Sequence, residues 1–195
     1  MSRQPPDPRL HERGLAPRRG FRYLGRVSKR GLLSELAIGA AAGYIALGVM
    51  DQVTSRLYAL APEVDKEKEK AVSPGVAYTV AARKSAALAG VSLSDEQATT
   101  VGSLYHYLMG LGWAPVYILA RRALRLPSGL AGLVTGLGLW AGFDEGLVPA
   151  LGFSAPNREY PLSTHMRGFL GHLAYGLTIM AVVEAIEPVG RPRKA

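Results

Sequence analysis

Residues 97–120 contain no Lys, Arg, Asp or Glu, and neither do residues 126–143. Uncharged runs of 24 and 18 residues match the roughly 20 apolar residues an α-helix needs to cross the hydrocarbon core of a bilayer. Two further uncharged stretches flank them, 36–50 and 168–183. These are shorter, and reach spanning length only by taking in Asp51 at one end and His165 or Arg167 at the other. The pattern predicts an all-α polytopic membrane protein. Four transmembrane helices, at about residues 31–58, 99–119, 128–151 and 164–185, would form two helical hairpins within a domain of residues 31–187.

Glycine separates this reading from a soluble helical bundle. The chain has 23 glycines, concentrated in the apolar segments. In a soluble helix each costs about 1 kcal/mol against alanine. In lipid, small residues four apart let helix backbones approach closely. Gly39/Gly43, Gly132/Gly136 and Gly138/Gly142 have that spacing, and Gly102, Gly110, Gly168 and Gly176 lie four residues to either side of a histidine. All but Gly138 and Gly142 are taken as the principal packing positions.

Charge sets orientation. Nine of the 23 Lys and Arg precede residue 31; Arg121, Arg122 and Arg125 lie in the second connection; Arg191, Arg193 and Lys194 close the chain. The excess of Lys and Arg on one side places both termini in the cytoplasm of a bacterial inner membrane. Residues 1–30 then form a mobile basic tail and residues 188–195 a short second one. The basic tail suits anionic lipid headgroups, at about 1 kcal/mol per basic residue near the surface, better than nucleic acid.

The outer connection, residues 62–98, carries its own signals. Asp65–Lys70 alternates in sign, as a solvated turn or helix end does. Ser73 followed by Pro74 reads as the start of a helix over 76–89, stopped at Gly90 and lying on the outer membrane surface. Ser94 with Gln97 is a capping box that opens the second span.

An internal repeat points to a site. Gly39, Gly43 and Asp51 stand at offsets 0, 4 and 12, as do Gly132, Gly136 and Asp144. Gly102, His106 and Gly110 share the spacing of Gly168, His172 and Gly176. Each copy is an outward helix ending in Asp and an inward helix carrying His. At about 1.5 Å per residue, Asp51, His106, Asp144 and His172 fall in the outer half of the bilayer, with Glu145 and His165 in the same layer. Ionisable groups inside a span are costly enough to be functional candidates, and coupling is expected between Asp51 and His172. Histidine titrates near neutral pH, so a proton- or ligand-responsive membrane protein is the first reading. A structural or accessory subunit, packed as a homo-oligomer or in a larger membrane complex, is the second. A membrane enzyme is the third. Its metal, if any, would be drawn from His106, His172, Asp51 and Asp144, and no cofactor is otherwise implied. The absence of cysteine excludes a thiolate site and a cysteine nucleophile, and no hydrolase elbow or phosphate loop occurs in the required context.

Gly138–Gly142 (GLWAG), Val148–Phe153 (VPALGF) and Gly171–Gly176 (GHLAYG) together resemble the YagU-like family of uncharacterised bacterial inner-membrane proteins. The resemblance extends more weakly over residues 31–187, through Gly39–Asp51, Ser73-Pro74 and the segment around His106. It implies a multi-span membrane protein and carries over no catalytic residue.

Overall fold

The computed structural model describes residues 32–186. The terminal tails expected from the sequence lie outside them. Seven α-helices follow in order among the described residues: α1 (Leu32–Leu60), α2 (Glu63–Val72), α3 (Ala77–Leu88), α4 (Asp95–Leu124), α5 (Ser128–Gly138), α6 (Val148–Ala150) and α7 (Leu162–Ile186). A π-helix, Leu139–Leu147, joins α5 to α6, and a 3₁₀ turn, Asn157–Glu159, precedes α7. No strand occurs among the described residues. Two stretches, Leu36–Leu60 in α1 and Leu162–Ile186, are long and apolar enough to cross a membrane.

The helices obey local rules. Ser94 accepts from the Gln97 N–H and Gln97 returns the bond to the Ser94 N–H, so the capping box starts α4. Asp95 and Glu96 occupy its first turn, where carboxylates offset the helix dipole. α4 then runs unbroken through Pro115 and stops where Arg125 turns left-handed. Gly90, at φ +72°, ends α3 as expected, because an L side chain there is strained. Two expectations are corrected. Ser73 closes α2 instead of capping α3, whose N-cap is Val76. The alternating charges at 65–70 form a helix of their own, in which no residue is buried.

Glycine contacts bring the long helices together. α1 lies between α4 and α7, and α7 between α1 and α5. A methyl group built on Gly43 would stand 2.5 Å from the Gly110 carbonyl, and one on Gly39 would stand 3.0 Å from the Pro115 nitrogen. Across the other hairpin, Gly132 and Gly136 meet Gly176 and the His172 carbonyl. Gly171 packs on Thr54 and joins the hairpins. Gly138 and Gly142, despite their spacing, have nothing within 4 Å. The core is built from small and branched residues, with Ala42, Ala46, Ala114, Tyr117 and Ile179 at zero exposure. Large apolar side chains face outward from all four long segments. Tyr44 and Ile45 do so on α1, Leu104 and Leu108 on α4, Leu130 and Val134 on α5, and Met166 and Leu170 on α7.

α3 has a protein neighbour along one side. It lies against α4, where Gly102 leaves room for the backbone of Tyr78 and Thr79, and Ala82 and Ala98 are buried. Arg83 pairs with Asp95, and Lys84 donates to the Leu151 carbonyl at 3.1 Å, tying α3 to the second hairpin.

Candidate functional site: two aspartate–histidine pairs

Each hairpin holds one carboxylate against one imidazole. In the first, His106 Nε2 of α4 lies 3.4 Å from Asp51 Oδ1 of α1. In the second, His172 Nδ1 of α7 lies 3.5 Å from Asp144 Oδ2 of the π-helix. Asp51 therefore meets His106, not His172 as the expected coupling had it. Both separations exceed a tight hydrogen bond, so the pairs are loose electrostatic contacts.

Three packing contacts bring the pairs toward one level. Gly171, next to His172, lies against Met50 and Thr54, which flank Asp51. The Tyr175 hydroxyl, one turn below His172, donates to the carbonyl of Gly110, one turn below His106.

The environments differ. The Asp51 and Asp144 side chains are 49% and 41% exposed, against 25% for His106 and 9% for His172. His172 Nδ1 donates to the Gly168 carbonyl at 2.9 Å, which places a proton on that nitrogen. His106 is instead cushioned by aromatic rings. Tyr78 of α3 stacks on it at 4.9 Å between centroids, and Tyr107 meets it edge-on at 6.0 Å. Burial, then the Asp51 carboxylate and Tyr107, push the Tyr78 hydroxyl above its ordinary value, so it stays protonated. Trp140 packs over Gly168 beside Asp144, and its buried indole N–H has no partner among the described residues.

Glu145 and His165 belong to a second cluster. His165 Nδ1 lies 2.8 and 2.9 Å from the two Glu145 oxygens, and Nε2 lies 3.0 Å from the Asn157 carbonyl. Asn157 Nδ2 in turn donates to the Glu145 carbonyl at 2.7 Å. The π-helix thus sends Asp144 to one histidine of α7 and Glu145 to the other.

No three His, Asp or Glu side chains form a metal-binding group among the described residues. Asp51, His106, Asp144 and His172 remain two pairs and do not close into the ligand set that the metal reading requires.

Compared with protein-family models, curated proteins and solved structures, the chain matches none.

Several polar contacts escape a reading by spacing. Arg121 pairs with Glu184 at 2.6 Å, and Ser128 donates to the same carboxylate at 2.8 Å, locking α4, α5 and α7 at the end remote from the aspartates. Glu69 of α2 receives Arg167 and Thr164, both at 2.6 Å, and Arg167 lies 5.0 Å over the Tyr58 ring. Lone opposite charges near helix ends were the available signal, but partners 56 or more residues apart have no periodic signature.

Proposed function

We propose that the chain is a four-span protein of the bacterial inner membrane with cytoplasmic termini, related to the YagU-like family. The two Asp–His pairs form its proton- or small-ligand-responsive layer, open toward the outer side. The observation that carries this reading is a pair of half-exposed carboxylates, each beside a histidine, within helices that also turn large apolar side chains outward. Large apolar side chains exposed on four helices, two of them long and apolar enough to cross a membrane, support lipid as the solvent of this surface. A carboxylate costs about 2.5–3.5 kcal/mol at the centre of a span even on lenient scales. Two half-exposed ones therefore face water entering from the outer end. The paired glycines, aspartates and histidines are in keeping with a duplicated hairpin whose copies share one membrane direction.

Two measurements test the proposal. Reporters fused after Lys194 and inserted at Glu67–Lys70 should read as cytoplasmic and exported; the reverse would overturn the topology. Purified protein in proteoliposomes should show a pH-dependent stability or flux between about pH 5 and about pH 8, diminished by Asp144→Asn. Identical behaviour of wild type and variant across that interval would remove the layer's role.

A further inference from the structure

Asp51 is a carboxylate short of a counter-cation. Its side chain is half-exposed, and its charged partner among the described residues is His106, at 3.4 Å, too far for a tight hydrogen bond. No Lys or Arg among the described residues pairs with it; Arg83 is engaged by Asp95, and Arg167 by Glu69. A carboxylate is costly inside a span unless something neutralises it.

Aromatic rings gather beside this carboxylate. Tyr44 stands seven residues before Asp51 on α1, which puts both on one helix face. It stacks on Tyr107 of α4 at 6.4 Å between centroids, with 24° between the ring planes. Tyr107 meets His106 edge-on, and Tyr78 of α3 covers the same imidazole. Tyr44, Tyr107, His106 and Tyr78 therefore form a row of successive ring contacts, with Asp51 against its histidine. Tyr44 is 62% and Tyr107 46% exposed, so ring surface stays open. The face of an aromatic ring is the negative part of its quadrupole and attracts cations.

Chemistry selects among cations. A metal ion asks for several oxygen or nitrogen ligands, and among the described residues no three His, Asp or Glu side chains gather. A primary ammonium brings three N–H donors that each seek an acceptor. A quaternary ammonium asks for none. It needs opposite charge, which Asp51 supplies, and ring faces, which the tyrosines supply. We propose that Asp51, with the rings of Tyr44, Tyr107 and Tyr78, binds a quaternary ammonium group, carried by a free solute or by a lipid headgroup. The proposal rests on the layer reading above and names the class of ligand to which the layer responds. No ring pairs with His172 among the described residues, so the site belongs to the first hairpin.

The full chain in an uncharged maltoside micelle, titrated with tetramethylammonium, tests the site. Saturation transfer from aromatic protons to the ligand methyl protons should be seen, and an equal concentration of sodium should not displace it. Asp51→Asn should weaken binding at least about tenfold. Tyr107→Leu should weaken it about two- to fivefold, and Tyr107→Phe, which keeps the ring face, hardly at all. Displacement by sodium, or undiminished affinity in Asp51→Asn or in Tyr107→Leu, overturns the site. The sodium arm uses the unsubstituted chain, so it decides even where a variant does not fold. Nanodiscs of phosphatidylcholine separate the two sources. Transfer to headgroup methyl protons identifies a lipid, transfer to added tetramethylammonium alone identifies a free solute, and transfer to neither overturns the site. Binding without any pH response of the layer leaves the site standing and removes the proton-responsive reading. A pH response without binding removes the site alone.

Discussion

Whether a glycine can be replaced depends on what stands opposite it. A methyl group on Gly136 would overlap the His172 carbonyl, and one on Gly176 the Gly132 carbonyl, whereas Gly138 faces open space. Gly136→Ala and Gly176→Ala should each cost about 1–3 kcal/mol through overpacking, read as a lowered melting temperature in detergent. Gly138→Ala should cost nothing measurable. Equal loss at all three sites would mean that backbone proximity is not what holds α5 to α7. The offsets of four located these glycines, but the same spacing also selected Gly138 and Gly142. Periodicity assigns residues to one face of a helix and leaves unstated what that face meets.

Local capping decides where an element begins. Ser94→Ala should destabilise α4 by about 1 kcal/mol and fray its first turn, seen as faster amide exchange near Gln97. Ser73→Ala should leave the start of α3 unchanged, since Ser73 stands at the end of α2. Loss of α3 protection in Ser73→Ala would restore the cap that the sequence suggested. The two serines look alike in sequence because each precedes an apolar stretch. They differ because Ser94 has Gln97 three residues on to return its hydrogen bond. Ser73 instead folds back on Gly75, whose φ of +129° turns the chain. α2 is a second case. Its residues bury nothing, so no apolar period marks it. It is anchored by Lys66, bonded to the Ala59 carbonyl and Glu63, and by Glu69 on α7. The Lys66 hydrogen bond also holds the exposed Glu63 carboxyl below the usual carboxylate range.

Across the whole molecule, the two Asp–His pairs sit in separate hairpins joined through α1 and α7. Coupling should therefore be strong within a pair and weaker across the interface. A thermal-stability cycle on Asp51→Asn and His106→Gln should show an interaction energy of at least about 0.5 kcal/mol, and a cycle on Asp51→Asn with His172→Gln a smaller one. Equal coupling in both cycles would mean that the four groups act as one cluster.

Composition and spacing alone determined that the chain is helical and which segments are apolar. These follow from the helical period and from the cost of charge in apolar surroundings, both local properties of a segment. Tertiary structure decided the rest. It matched Asp51 to His106 and Asp144 to His172, laid α3 on α4 through Gly102, and wound Leu139–Leu147 into a π-helix that aims two adjacent carboxylates at two histidines. Those outcomes depend on which helices become neighbours and in what register. Contacts between residues tens of positions apart set that register, and no local period encodes it.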